Sequence, residues 1–223
     1  MIMTNEHRNA EEDAYLKIKR AIMLKRLQPG QQLTEEWIGK NLNMSRTPVR
    51  GAFKKLEKEG LITILPRRGA FVHNPTDKEV SDVFSVRILL ESFAARTAAP
   101  NISQKYIDEL LILSSREIEA YKSRNFEEFI NINNQIHRLP AISTGNKCLI
   151  EQVNSLVNWS DCYLILRDSF YTNPIEKVKS IPEHIRIINA LQNRDPIEAE
   201  NAVRTHLETT LRDWETPKSV FED

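Results

Sequence analysis

The sequence has little cysteine, little glycine and no long apolar run. Two cysteines, Cys148 and Cys162, are too few for a disulfide scaffold, which favours a reduced, cytoplasmic setting. No stretch approaches the roughly 18 apolar residues that a membrane-spanning helix needs, and the polar segment from Asn5 to Arg8 lacks the apolar centre of a signal peptide. The chain also lacks a phosphate-binding loop and a nucleophile elbow. These absences argue against a membrane protein, a secreted disulfide scaffold and several classes of enzyme.

The charges balance overall, with 31 basic and 31 acidic side chains, but they are divided unevenly along the chain. Residues 1–74 carry 14 basic and 8 acidic side chains, whereas residues 75–223 carry 17 and 23. A basic N-terminal third on an acidic remainder is typical of a small nucleic-acid-binding module fused to a different domain. An ordinary fluctuation would look the same, so the motifs have to decide.

The first 74 residues are predicted to form three helices and a β-hairpin. Apolar residues at helical spacing predict the first helix, which Gln28-Pro29-Gly30 ends, and Thr34 is a suitable N-cap for the second. Gly60 stops the third helix, and two β-prone runs flank a turn that begins at Pro66. The predicted elements are helices over Ala14–Leu27, Thr34–Asn41 and Ser45–Glu59 and strands over Leu61–Leu65 and Ala70–His73.

The remainder of the chain is predicted to be entirely helical, with the domain boundary at His73-Asn74-Pro75-Thr76. Thr76, Asn125 and Asp195 each precede a glutamate by three residues, which is the capping-box pattern of a helix start. Six helices are predicted, over Asp77–Ala99, Ser103–Ser123, Phe126–Ile142, Lys147–Ser169, Pro174–Asn193 and Pro196–Trp214.

The order of elements in residues 1–74 predicts a winged helix-turn-helix, whose second helix enters the major groove with its N-terminal residues. Those residues are Ser45, Arg46, Thr47 and, one turn later, Arg50. Arginine can grip guanine O6 and N7 with two hydrogen bonds, and the hydroxyls can donate to phosphates. A solvated basic helix face is the alternative for this segment taken by itself.

The predicted hairpin carries Arg67, Arg68 and Gly69 at its tip. This position allows the two arginines to reach phosphates or a minor groove. The fold class is therefore mainly α: an N-terminal winged helix-turn-helix over residues 1–74 and a C-terminal all-α six-helix bundle over residues 75–223.

Three segments resemble the DNA-binding domain of GntR-family bacterial transcription regulators: Asn43–Arg50, Leu56–Leu61 and Pro66–Val72. The resemblance covers nearly all of residues 14–73 and implies DNA binding by the residues just named. Two positions depart from the family pattern. Gly51 stands where an acidic residue is usual, which predicts a softer helix. Glu36 stands where many relatives have arginine, which removes one expected DNA contact.

Three of the five histidines, His137, His184 and His206, fall on predicted helices of the second domain. Asn133 precedes His137 by four residues, so both lie on one helix face. His184 and His206 lie at similar distances from the turn near Asp195, so two antiparallel helices would bring them to the same level. Imidazoles that converge inside a bundle form a plausible transition-metal site, although a lone helical histidine is more often structural.

The second domain also resembles the FadR C-terminal (FCD) effector domain, in its shorter, VanR-type branch with six helices. Val86–Glu91 matches the opening helix, and the asparagine and three histidines match the metal-site pattern. The resemblance implies an effector-binding and dimerisation domain that holds a metal at Asn133, His137, His184 and His206. It also implies a carboxylate effector that completes the coordination, with Arg87 as a candidate partner; a salt bridge between Arg87 and Glu91 is the alternative.

One departure affects the metal. The family usually has aspartate where this chain has Asn133, so a divalent site would carry a charge of +2 instead of +1 before an anion binds. We expect zinc, nickel or manganese, held more weakly and with a greater demand for an anionic ligand. A domain that has lost its metal is the alternative. Ile136 also replaces the aromatic residue usual beside the histidine.

The sequence therefore predicts a ligand-responsive bacterial transcription regulator that binds a palindromic operator as a homodimer. The effector would tighten the helical bundle and bias the DNA-binding domains through the Asn74-Pro75 hinge. One alternative is a metal-dependent enzyme that uses the three histidines, although Glu183, the nearest acid, is expected to point away from the site. The other is a constitutive DNA-binding protein without an effector.

Overall fold

The structure, a computed structural model, describes residues 10–167, 175 and 178–215, without the side chains of residues 162, 164–167 and 215. The chain separates into two compact units. The first comprises residues 1–75 with 162–168, and the second comprises residues 76–161 with 169–223. Within the described residues no helix is long and apolar enough to cross a membrane.

The first unit contains a three-helix arrangement and a small sheet. Ala14, Ile18 and Ile22 of the first helix are buried, and this helix packs mainly against the third, where Val49 and Leu56 are fully buried. The elements are α1 (Ala10–Met23), β1 (Gln32–Leu33), α2 (Glu35–Leu42), α3 (Arg46–Lys58), β2 (Ile62–Leu65) and β3 (Gly69–Val72).

Three small or polar residues fix the two ends of α2 and its turn into α3. Thr34 caps α2 by accepting a hydrogen bond from the Trp37 amide at 3.1 Å. Asn43 ends the helix in the left-handed conformation, which asparagine tolerates better than most residues. A Cβ on Gly39 would lie 2.7 Å from the Met44 carbonyl oxygen, so the close approach of the two segments requires glycine there. The turn thereby fixes the start of α3.

The wing is an antiparallel sheet in the order β1-β3-β2. Thr63 pairs with Phe71 in the predicted hairpin, whose turn places Arg67 and Gly69 at positive φ. The strand β1 was not predicted, because a two-residue strand with one buried side chain, Leu33, has no detectable alternation.

The first helix was predicted over Ala14–Leu27, and that placement was wrong by four residues at each end. The helix begins at Ala10 and ends at Met23, because Lys25 adopts a left-handed conformation two residues later. Leu27 is nevertheless buried, which explains why its apolar character extended the predicted helix.

The described part of the second unit contains six α-helices, the fourth of which ends in residues assigned to the first unit, and one short 3₁₀ helix (Ala99–Asn101). The first of them packs most extensively against the last, and the second packs against the third and fifth. The helices are α4 (Asp77–Ala98), α5 (Gln104–Lys122), α6 (Phe126–Ser143), α7 (Lys147–Arg167), α8 (Ser180–Gln192) and α9 (Pro196–Glu215).

The start of α8 differs from its prediction at Pro174. The helix begins at Ser180 with Lys179 as its N-cap residue, and it is preceded by a turn in which the Val178 amide donates to the Ile175 carbonyl. Residues 174, 176 and 177, and residues 168 and 169 at the predicted end of the preceding helix, lie outside the described residues.

The predicted helix starts at Thr76, Asn125 and Asp195 are confirmed. Thr76 and Glu79 form a reciprocal capping box. Asn125 accepts from the Glu128 amide at 3.3 Å. Asp195 accepts from the amides two and three residues later, both at 3.0 Å. Such caps satisfy the free amides of the first turn and fix where each helix begins.

Candidate DNA interface and histidine cluster

The start of α3 presents the predicted DNA-reading residues to solvent. Ser45, Arg46, Thr47 and Arg50 are all exposed, whereas Val49 between them is buried against the core. Ser45 occupies the N-cap position without a side-chain capping bond. The amides at the start of α3 and the positive end of its dipole are therefore suited to bind a phosphate.

Both arginines of this helix pair with acids at the start of α2. Glu35 accepts two hydrogen bonds from Arg50, from Nε at 2.7 Å and from Nη2 at 2.8 Å. Glu36 accepts one from Arg46 Nη2 at 2.7 Å. The bonds from Arg50 lower the pKa of the Glu35 carboxyl. The sequence did not predict that either acid pairs with an arginine of α3, and Glu36 was interpreted as a lost DNA contact.

The wing tip also presents its predicted residues. Arg67, Arg68 and Gly69 are exposed. The Arg68 carbonyl accepts a hydrogen bond from Gln32 Nε2 at 2.8 Å, and its guanidinium carbon lies 5.7 Å from the centre of the Phe71 ring. The strand β1 therefore braces the tip through its glutamine.

The glycine inside α3 is covered by an acid from α1. A Cβ on Gly51 would lie 2.1 Å from Glu11 Oε2, and Glu11 Oε1 lies 3.2 Å from Lys55 Nζ. Helix α3 is unbroken at Gly51. The Glu11 side chain therefore fills the space that a side chain at position 51 would need.

The three predicted histidines of the second unit converge from α6, α8 and α9. The ring centres lie 5.3 Å apart for His137 and His184, 5.0 Å for His137 and His206, and 4.5 Å for His184 and His206. One nitrogen from each ring can be chosen so that all three lie within 4.8 Å of one another. All three side chains are buried. The level match expected for the antiparallel helices α8 and α9 is therefore present.

Each imidazole contacts a carboxylate through Nδ1. The distances are 2.7 Å from His137 to Glu91, 2.8 Å from His184 to Glu117 and 2.9 Å from His206 to Glu183. When Nδ1–H of a neutral imidazole donates a hydrogen bond to a carboxylate, the Nε2 atom keeps a free lone pair, as in metal-binding histidines.

If each ring carries its proton on Nδ1, the Nε2 atoms present lone pairs to one another. Those of His137 and His206 are 3.2 Å apart, and that of His184 is buried without a hydrogen-bond partner. Burial lowers the pKa of His137 to about 4, even though Glu91 raises it, and burial and the other two imidazoles lower the pKa of His206. Two lone pairs this close repel each other unless a cation lies between them. The donor set therefore fits a divalent transition metal.

Glu117 is a second residue of the cluster, besides His184, with a buried polar atom that has no hydrogen-bond partner. Its side chain is fully buried, Oε1 contacts His184, and Oε2 has no hydrogen-bond partner. A buried carboxylate oxygen without a hydrogen-bond partner is costly unless positive charge is near. The negative charge that the neutral Asn133 does not supply can thus come from Glu117, which contacts His184.

The carboxylates were largely missed by sequence reasoning. Glu183 was expected to point away from the site, and this was wrong, because it contacts His206 on the neighbouring helix and not His184 beside it. Glu117 could have been found, since it interrupts the buried apolar stripe of α5 after Leu110 and Leu113.

The two remaining predicted residues lie beside the cluster. Asn133 is buried, and its amide nitrogen lies 3.4 Å from Asn134 Oδ1, which leaves its own oxygen as the atom able to ligate. Arg87 is buried and paired with Glu91 on its own helix at 2.6 Å, and its Nη1 donates to Ser160 at 2.8 Å. Its Nη2 atom is buried without a hydrogen-bond partner.

These features define a DNA-binding regulator: a winged helix-turn-helix joined to a helical domain with an internal polar cluster. The chain belongs to the gntR family of bacterial regulatory proteins, whose model matches residues 10–72, and its second part is an FCD domain, whose model matches residues 82–209. The fold class predicted from sequence is confirmed. The family models and the relatives confirm the predicted function as a DNA-binding transcription regulator and do not support the alternative of a metal-dependent enzyme.

Relatives are similar over most of their length. The HTH-type transcriptional repressor RspR of Escherichia coli K12 is 27% identical over 92% of this chain and 88% of its own. The uncharacterised HTH-type transcriptional regulator YdhC of Bacillus subtilis is 28% identical over 94% and 91%. Members of this family bind operator DNA, so DNA is a partner of the chain.

Two solved structures share the fold. Escherichia coli McbR/YncC has a TM-score of 0.73 and 20% identity, over 93% of this chain and 99% of its own. A GntR regulator from Rhodococcus sp. RHA1 has a TM-score of 0.74 and 21% identity, over 91% and 96%.

Proposed function

We propose that this protein is a cytoplasmic, homodimeric regulator that binds a palindromic operator and responds to a small carboxylate. The carboxylate completes the coordination of a divalent metal held by His137, His184 and His206, with Asn133 as a fourth ligand. One recognition helix α3 from each protomer reads a half-site.

The observation that carries the effector proposal is the set of three buried imidazoles, each hydrogen-bonded through Nδ1 to a carboxylate. A metal bound there supplies a Lewis-acidic attachment point for an anion. Arg87 supplies a second attachment point for the anion. Its Nε and Nη1 atoms donate to Glu91 and Ser160, whereas its buried Nη2 atom has no hydrogen-bond partner. A carboxylate that contacts both the metal and the Arg87 guanidinium binds to positive groups that the folded protein already holds in position.

The homodimer is supported by an apolar stripe on α4. Val86, Leu89 and Phe93 follow one another at helical spacing, and their exposed fractions are 43%, 64% and 52%. Three large apolar side chains on one exposed face are unusual for a helix of a monomer. A second copy of the same stripe would cover them in an isologous contact.

Replacing Leu89 with glutamate should therefore convert a dimer into monomers at micromolar concentration, because it places like charges opposite each other across the two-fold axis. Sedimentation velocity would show the change. Ile112→Glu, at an equally exposed apolar site on α5, is the matched control and should remain dimeric. A wild-type monomer, or dissociation by the control alone, would rule out this interface.

The experiment that tests the effector proposal is elemental analysis of protein purified without chelators, followed by thermal shifts with a panel of small carboxylates. We expect close to one zinc, nickel or manganese ion per chain. One class of acid should raise Tm, and that acid should change affinity for operator DNA. Binding to the folded state alone raises stability by about 2.7 kcal/mol at 100 times Kd.

The possible outcomes separate the alternatives. Metal-free protein that no acid stabilises would mean that the site has lost its ligand and that DNA binding is constitutive. Metal-loaded protein that binds an acid without any change in DNA affinity would contradict a sensing role. Metal chelation should abolish the acid-dependent shift if the acid binds through the metal.

A further inference from the structure

The bidentate pair between Glu35 and Arg50 has no role in the proposal above. Glu35 is the first residue of α2, and its side chain is 27% exposed, whereas that of Arg50 is 64% exposed. Two bonds in parallel fix the plane of a guanidinium as well as its position. The arginine that is placed to read a base is therefore already oriented in the free protein.

The bond pattern determines which edge of Arg50 is available. Glu35 occupies the side edge, formed by Nε and Nη2. A guanidinium has five N–H groups in one plane, so its end edge, formed by Nη1 and the second Nη2 hydrogen, lies outside this pair. Two parallel N–H groups of this kind match guanine O6 and N7 in the major groove.

We infer that Glu35 is a positioning residue for base recognition: its carboxylate directs the end edge of Arg50 toward a guanine of the operator. The inference rests on the proposed DNA contact of Arg50. Glu35 itself need not touch DNA.

The same carboxylate acts against binding to DNA of the wrong sequence. A freely rotating arginine pairs well with any phosphate, and such contacts carry affinity without sequence information. Glu35 neutralises much of the Arg50 charge and occupies one of its two bidentate edges. Glu35 should therefore reduce affinity for random DNA more than affinity for the operator.

Glu36 provides a comparison within the same helix turn. It makes a single bond to Arg46, and both side chains are largely exposed, at 77% and 64%. One bond does not fix the plane of a guanidinium. Glu36→Gln and Glu35→Gln thus each remove one negative charge, at neighbouring positions. Only Glu35→Gln also breaks a bidentate pair that orients an arginine.

The test compares the full-length wild type with Glu35→Gln and Glu36→Gln. The operator is obtained by selecting random duplexes with the wild-type protein, and affinities are measured for it and for a scrambled duplex across a salt series. Glu35→Gln should lower the operator-to-scrambled affinity ratio by about tenfold, the scale of one bidentate base contact, mainly through tighter binding to scrambled DNA. Glu36→Gln should change the ratio much less.

Both variants should steepen the salt dependence by a similar amount, because each removes one negative charge near the phosphates. Equal loss of specificity in the two variants would show a general charge effect and overturn the positioning role. An unchanged ratio in Glu35→Gln would overturn it as well. Thermal melts of the variants exclude misfolding as the cause.

A third variant separates this inference from the proposed function. If Arg50→Ala abolishes sequence preference while Glu35→Gln is neutral, only the positioning role fails. If Arg50→Ala leaves the preference intact, Arg50 reads no base, and the DNA contact on which the inference rests is wrong.

Discussion

Replacing His184 with alanine is expected to reduce bound metal from about one ion per chain to a small fraction. His184 supplies one of three converging nitrogens, and its Nε2 has no other partner. Removing it leaves two imidazoles, and Glu117 keeps a buried carboxylate with neither its imidazole nor the ion nearby. Elemental analysis should show the loss, and Tm should no longer respond to added zinc or nickel.

A histidine outside the cluster provides the control. His73 lies in the first unit, where its Nδ1 contacts Thr63 Oγ1 at 3.0 Å. His73→Ala should retain the wild-type metal content. If His184→Ala retained it too, the three histidines would not be the ligands, and a proton shared between His137 and His206 would have to relieve the lone-pair repulsion.

Removing the carboxylate of Glu91 should lower the free energy of unfolding by several kcal/mol. Burial raises the pKa of Glu91, but Arg87 and His137 outweigh it and hold the pKa at about 2, so the group is ionised at neutral pH. Glu91→Leu leaves the Arg87 guanidinium buried without its counter-charge, because both side chains are only 3% exposed. The loss should be about 3–5 kcal/mol, measured by urea unfolding of the metal-free protein.

The double variant Arg87→Met with Glu91→Leu isolates the cause. Replacing both partners of a buried pair by apolar groups is often neutral, whereas breaking it is costly. The double variant should recover most of the lost stability. A single variant that costs less than about 1 kcal/mol, or a double variant as unstable as the single one, would show that the ion pair does not carry this stability.

Local chemistry explains why most of the fold could be predicted. The starts of α2, α4, α6 and α9 depend on caps within three residues of each helix, and the wing depends on a short turn, so a single sequence contains the information. The strand β1 depends on pairing with β3, nearly forty residues later in the chain. No local pattern encodes that contact.

The same distinction separates the predicted from the missed parts of the site. His184 and His206 flank one turn, so their shared level follows from helix geometry. The carboxylates of Glu91 and Glu117 reach histidines that are 46 and 67 residues away. Which acid faces which imidazole depends on how α4, α5, α6 and α8 pack, and spacing along one helix does not determine this.

The contact between Glu11 and Gly51 has a consequence for how this sequence can change over time. A side chain at position 51 would need the space that the Glu11 carboxylate now occupies, so the flexible Glu11 side chain would have to rotate to another position. An acid at position 51 would also repel the Glu11 carboxylate, whereas a change at position 11 alone leaves Lys55 with Glu12 as its acidic partner on α1. The two positions are therefore coupled, and we expect them to covary among descendants of this chain.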